Sequence, residues 1–189
     1  MVKNLLKACF MMAALTAAGQ AAAETYTVGS GGTYRPFEFE NSQKQLEGFD
    51  IDIIKAIAKA EGFDVKLVNT PWEGIFATLN TGDRDIIISG ITITDKRKQM
   101  VDFSAPYFPA EQSIVVAQDS QVDSLAALKN EKVGVVNSST GDIVVSEVLG
   151  KNSTAIKRFD NTPLMLQELF EDGVSAAVGD VGVVKYYIK

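Results

Sequence analysis

Hydroxyl and charged side chains crowd into the stretch ISGITITDKRKQ, Ile88 to Gln99, where an apolar run ends, a glycine intervenes and an arginine follows. Arg97 lies at the expected start of a short helix whose N-cap is Thr92 or Thr94. Free N–H groups at a helix start attract anions, and a guanidinium can hold both oxygens of one carboxylate. Gly90 lets a ligand approach the main chain closely, and Thr92 supplies a hydroxyl. The same letters also fit an ordinary strand-to-helix turn with a solvated DKRK face, in which Lys96 and Lys98 are solvated neighbours.

Other positions offer matching chemistry. Asp180 follows the apolar run Ala176 to Gly179, at a strand end where a carboxylate can receive an ammonium group; a helix N-cap is the alternative reading. Thr140 and Gly141 begin a helix and can present N–H groups to the carboxylate that Arg97 would hold, or can simply cap that helix. Tyr34 and Trp72 each fall at a strand end or helix start, where two aromatics can sandwich a small side chain. Equally, each can fill a gap between helix and sheet.

The elements that would position these residues alternate between strand and helix. Thr25 to Ser30 reads as a strand, followed by a turn-rich stretch and a hairpin in which Phe37 to Glu40 and Leu46 to Phe49 flank a polar loop. From Asp50 the apolar spacing becomes helical, with Ile51, Ile54, Ile57 and Ala58 on one face and Gly62 as the stop. Val65 to Val68 is a strand, Trp72 to Leu79 a helix and Ile86 to Ser89 a strand. A second series then runs through strands at Ser113 to Ala117, Lys132 to Val136, Ala155 to Phe159 and Ala176 to Val178. Helices are expected between them near Ser124 to Leu128, around Gly141 to Leu149 and at Pro163 to Phe170, with another from Val181 to Lys189. The expected architecture is α/β, with largely parallel sheets in two lobes: residues 24–110, a hinge at 111–117, and 118–189. Ligands in such sheets bind at the carboxyl ends of strands.

Composition excludes several function classes. Lys3 and Lys7 precede or interrupt an apolar stretch from Leu5 to Ala18, and Ala21, Ala22 and Ala23 offer small residues before Glu24, the pattern of a cleaved signal peptide spanning residues 1–23. The apolar stretch is shorter than the roughly 20 residues that span a bilayer. Cys9 precedes most of that stretch and lies two residues after Lys7, which argues against a lipid anchor. Cleavage after Ala23 leaves 166 residues without cysteine or histidine and moves the formal net charge from −6 to −8. Disulfides, thiolate nucleophiles and His-ligated metals then drop out, no metal or cofactor is expected, and the absence of a basic stripe argues against nucleic acid. The expected product is a soluble, monomeric protein outside the cytoplasm.

Five stretches in order, TYRPFEF (Thr33 to Phe39), GFDIDI (Gly48 to Ile53), WEGIFATLNTGDRD (Trp72 to Asp85), GITITDKRK (Gly90 to Lys98) and DFSAPY (Asp102 to Tyr107), give the chain a specific resemblance. Together with VGVVNSSTG (Val133 to Gly141) and Asp180, they resemble the polar amino acid binding proteins of bacterial ABC importers, solute-binding protein family 3. The resemblance implies a type II periplasmic-binding-protein fold and capture of a polar L-amino acid by hinge closure, with delivery to a permease in the inner membrane. It implies that Arg97 clamps the ligand carboxylate with Thr92 and the main chain at Thr140 and Gly141. Asp180, Thr92 and the Ser89 or Gly90 main chain would take the ammonium; Tyr34 and Trp72 would enclose the side chain, with Asn137 at its far end.

Two departures follow. Gly31 stands where members that bind basic amino acids carry an acidic residue, which points to a neutral ligand such as glutamine. Arg35 offers itself to an acidic side chain but also suits an exposed turn. Cystine-type or broad specificity stays open. The chain also stops at Lys189, so the second lobe and the return to the first are expected to be incomplete. Exported enzymes of the same fold, of the cyclohexadienyl dehydratase type, and receptor sensing domains are the rival readings. An enzyme needs a positioned acid and base, and without histidine no carboxylate or lysine pair stands out.

Overall fold

The structure is a computed structural model that describes residues 23–188; the proposed signal peptide lies outside the described residues, apart from Ala23. Strand β1 (Thr25–Ser30) is the centre of a three-stranded parallel sheet, flanked by β5 (Asp64–Asn69) and β6 (Ile86–Ile87). Its pairing runs from Thr25 opposite Asp64 to Ser30 opposite Asn69, so all three strands deliver their carboxyl ends to one edge. In the chain between β1 and β5, a small antiparallel sheet forms from β2 (Thr33–Tyr34), β3 (Glu38–Glu40) and β4 (Leu46–Glu47), in the order β2-β3-β4. The expected hairpin is the β3–β4 pair, and β2 adds a strand within the stretch expected to be a turn.

Helix α1 (Phe49–Glu61) ends at Gly62, whose φ of 77° is a left-handed cap conformation that suits glycine. Ile51, Ile54 and Ala58 are buried as the spacing requires, but Ile57 is 45% exposed, so the covered stripe is narrower than the apolar pattern. Helix α2 (Ile75–Asn80) begins after Gly74, later than the expected start at Trp72, and leaves Trp72 in the preceding turn. Helix α3 (Asp95–Lys98) is one turn long, and Thr94 is its cap, accepting the Arg97 N–H at 3.2 Å.

The second sheet has the order β7-β10-β8-β9, from β7 (Gln112–Val116), β8 (Val133–Val136), β9 (Ile156–Phe159) and β10 (Ala176–Asp180). Strands β8, β9 and β10 run parallel, while β7 pairs antiparallel with β10 and sets Gln112 opposite Asp180. The stretch expected as a hinge is thus largely an edge strand of this sheet. A 3-10 helix (Ala126–Asn130), α4 (Thr140–Leu149), α5 (Thr162–Phe170) and α6 (Val181–Tyr187) complete the lobe.

Alternation along β10 divides the second core. Ala176 and Val178 join Leu128, Val133, Val135, Val145 and Ile156 on one face, while Ala177 joins Val115, Met165, Leu166, Leu169 and Val184 on the other. Each fully buried aliphatic side chain of this kind contributes about 1.5–3 kcal/mol. That rigidity holds the strand ends, and with them the site, in place.

Candidate ligand-binding site

The carboxyl ends of both parallel sets face one cavity of about 350 Å³. Tyr34, Trp72, Ser89, Gly90, Thr92 and Arg97 line it from the first lobe, and Thr140 and Asp180 from the second.

Ser89 and Gly90 follow β6 and form a floor. The Ser89 hydroxyl donates to Glu38 Oε1 at 2.7 Å and accepts the Gly31 N–H at 3.1 Å, while the Gly90 N–H donates to Asp50 Oδ2 at 2.7 Å. Gly90 has a φ of 54°, and a Cβ there would lie 2.7 Å from the Tyr34 ring. Glycine is required at this point because the ring lies directly on the main chain.

Arg97 is only 6% exposed. Its Nη1 donates to the Thr92 carbonyl at 2.9 Å and its Nη2 to the Ser138 carbonyl at 3.4 Å, and the guanidinium lies 5.2 Å from the Trp72 ring centre and 5.5 Å from that of Phe76. Among the described residues no carboxylate pairs with it. Burial lowers its pKa, yet a guanidinium stays charged across ordinary pH. A buried charge without a counter-charge is costly, and an anion entering the cavity relieves that cost.

Asp180 is the opposite case. It sits at the N-cap position of α6 but makes no capping bond. Instead its carboxylate accepts from the Tyr34 hydroxyl across the cleft and from the Gln112 amide beside it. Burial pushes its pKa up to about 6, and no lysine or arginine pairs with it among the described residues. Gln112 also donates to Thr140 Oγ1 at 3.0 Å, which turns the threonine hydroxyl's own hydrogen toward another acceptor. The cap of α4 is Ser139, which accepts the Asp142 N–H at 3.1 Å, so Thr140 is free of that duty.

The lobes also meet through the Trp72 indole, which donates to the Asn137 carbonyl at 2.9 Å. Asn137 thus takes part through its main chain; its side chain is exposed and off the cavity lining. Gly141 is buried behind the lining, where a Cβ would lie 2.7 Å from the Val178 carbonyl oxygen. Arg35 holds its guanidinium 3.7 Å from the Phe39 ring centre and does not line the cavity.

Several participants escaped the sequence reading. Gln112 reaches the site because an antiparallel strand brings its amino end to the edge where parallel strands bring their carboxyl ends. Its only local signal is a polar residue opening an apolar run. Glu38, Glu40, Glu73 and Asp160 add carboxyl groups to the lining, and Asp50 lies beneath the Ser89–Gly90 floor. Among the described residues no group of three or more histidine, cysteine or acidic side chains is arranged to hold a metal ion.

The family model of the bacterial extracellular solute-binding proteins, family 3, matches residues 26–178. A probable histidine-binding protein of Neisseria gonorrhoeae is 44% identical over 167 residues, which cover 88% of this chain and 62% of that protein. The arginine-, lysine-, histidine-binding protein ArtJ of Geobacillus stearothermophilus superposes with a TM-score of 0.83 at 39% identity, over 87% of this chain and 71% of that one. An ancestral arginine-binding protein bound to glutamine gives a TM-score of 0.80 at 42% identity, over 87% of this chain and 72% of that one. The chain spans less than two thirds of the length of the Neisseria relative. With a family match over most of its length and the two-lobed fold in common with these structures, the chain belongs to the bacterial extracellular solute-binding proteins, family 3.

Proposed function

We propose that the chain serves in capture of a polar L-amino acid outside the cytoplasm, as the solute-binding component of an ABC importer that hands its ligand to a membrane permease. The observation that carries this reading is a pair of opposite charges without ionic partners among the described residues, the buried Arg97 and the half-buried Asp180, lining one cavity between two lobes. A zwitterionic head group answers both charges at once. Arg97 holds the carboxylate, helped by the Thr140 hydroxyl, while Asp180, Thr92 and the Ser89 carbonyl take the ammonium. Tyr34 and Trp72 enclose the side chain. Residues 24–110 form one lobe and residues 118–189, joined by the β7 strand of the 111–117 stretch, the other; because the ligand touches both lobes only when they meet, it favours the closed form.

Side-chain preference follows from the lining. Gly31 leaves the neutral-ligand reading intact, while Glu40, Glu73 and Asp160 add negative charge suited to a basic ligand, in keeping with the relatives' names. We therefore place glutamine, histidine and arginine ahead of glutamate. Binding rather than catalysis is the role, and the relatives are named as binding proteins.

A thermal-shift screen of these four amino acids against the full chain tests the reading. Binding at a hundredfold excess over Kd stabilises the fold by about 2.7 kcal/mol, a readily visible rise in the unfolding midpoint. No shift with any of the four overturns the amino acid reading, and turnover of a prephenate-like substrate favours an enzyme.

A further inference from the structure

At the cavity floor, two carboxyl groups have no cation to answer them. Glu38 on β3 is 1% exposed and Asp50 at the start of α1 is fully buried. Their side chains face each other, and Glu38 Oε2 and Asp50 Oδ1 are buried without a donor from any other group. The groups around them are the Ser89 hydroxyl, the Gly90 N–H and the Tyr107 phenol; among the described residues no lysine or arginine pairs with either carboxyl. Two adjacent carboxylates cannot both stay ionised in such a place, whereas one proton between them satisfies both stranded oxygens.

We propose that Glu38 and Asp50 share one proton and act as a positioning pair for the Ser89–Gly90 floor, so that loss of the proton loosens the floor and weakens amino acid binding. The inference rests on the proposed function. Every bond that fixes the floor converges on this pair: Glu38 Oε1 takes the Ser89 hydroxyl, which in turn takes the Gly31 N–H, and Asp50 Oδ2 takes the Gly90 N–H. Glu38 is the member that holds the proton, because burial and the Asp50 charge push its carboxyl well above the usual range. Burial raises Asp50 too, but the Gly90 N–H and the Tyr107 phenol oppose the rise and favour its anion. When the proton leaves to solvent, two like charges repel across the strand–helix junction that carries the floor.

Glu38→Gln replaces the acidic O–H with an amide N–H that does not titrate, and Asp50→Asn replaces the anion with a neutral amide that keeps an acceptor for the Gly90 N–H. The test on the full chain has two readouts. Infrared spectroscopy should show the carbonyl band of a protonated carboxyl at neutral pH in the parent and lose it in Glu38→Gln, which removes the group that holds the proton. Calorimetric titration with glutamine, histidine or arginine should show the parent Kd rising relative to either variant by up to about tenfold per pH unit once the proton leaves. Taking that ratio cancels the titration of Asp180 and of the ligand's own ammonium, which parent and variants share. Absence of the band at neutral pH, or a Kd ratio flat across the pH range, overturns the proposal. If the parent binds none of these amino acids, the proposed function and the positioning role fall together, while the band by itself still decides the shared proton.

Discussion

Two opposite charges that face the cavity, the buried Arg97 and the half-buried Asp180, both sit at junctions between strand and helix, but they are held in different ways. Arg97 meets two main-chain carbonyls and two aromatic rings, and nothing around it can remove its charge. Asp180 meets two neutral donors, the Tyr34 hydroxyl and the Gln112 amide, and burial lifts its pKa to about 6. One end of the site is permanently charged; the other is charged only when the pH allows. A ligand bridging them is therefore gripped unconditionally at its carboxylate and conditionally at its ammonium.

Removing the permanent end should have the largest effect. In Arg97→Ala the ligand carboxylate enters a desolvated cavity without a cation, and leaving one member of such a pair alone costs about 3–5 kcal/mol, more than a hundredfold in Kd. The ligand-free fold should be as stable as before or more so, since the change deletes an unanswered buried charge. Arg97→Lys keeps the charge but loses the two-pronged geometry and should fall between. Calorimetry that finds Arg97→Ala within about 1 kcal/mol of the parent would reduce Arg97 to the value of a surface ion pair.

The same contrast explains what could be read from sequence. Arg97, Gly90 and the Thr94 cap are within a few residues of one another, and Gly62 stops α1 at the expected place, because helix starts and stops are set by neighbours in the chain. The start of α2 was harder: Gly74, with a φ of 78°, lies at its N-cap and leaves Trp72 in a turn that aims it at the cleft, against the helical pattern of the letters. Gln112 and the Glu38–Asp50 pair depend on pairings across 68 and 12 residues. Alternation along β3 shows that Glu38 and Glu40 share a face, but not that α1 and the Ser89 loop cover that face. Asn137 is expected near the far end of the ligand's side chain, and its carbonyl accepts from Trp72, a main-chain contact that residue type does not reveal.

The conditional end makes the second prediction. As pH falls through about 6, Asp180 takes up a proton and can no longer receive an ammonium as an anion, so the parent should lose affinity on the acid side. Asp180→Asn should bind about ten- to a hundredfold more weakly at neutral pH, the worth of a hydrogen bond to a charged group, and should lack that acid limb. Ligand-free stability runs the other way. A carboxyl raised from 3.8 to about 6 by folding contributes stability that is complete below 3.8 and is lost as pH rises through about 6. The parent's unfolding midpoint should therefore drop across that window relative to Asp180→Asn while its affinity climbs, and parallel curves for the two proteins would contradict the assignment.

The smallest effect should come from Tyr34→Phe, which keeps the ring against Gly90 and removes only the hydroxyl that donates to Asp180. With one donor fewer, the Asp180 anion is less favoured, so the acid limb of the binding curve should move to higher pH. Neutral-pH affinity tells which oxygen the ligand uses. If the ammonium adds to the bonds already on the carboxylate, affinity should fall by no more than about tenfold, the lower range for a bond to a charged group. If the ammonium displaces the tyrosine hydroxyl, affinity should hold or rise, because the variant has no cross-cleft bond to break. An acid limb that does not move would mean that Gln112 alone tunes Asp180, and Gln112→Leu would then produce the displacement that Tyr34→Phe did not.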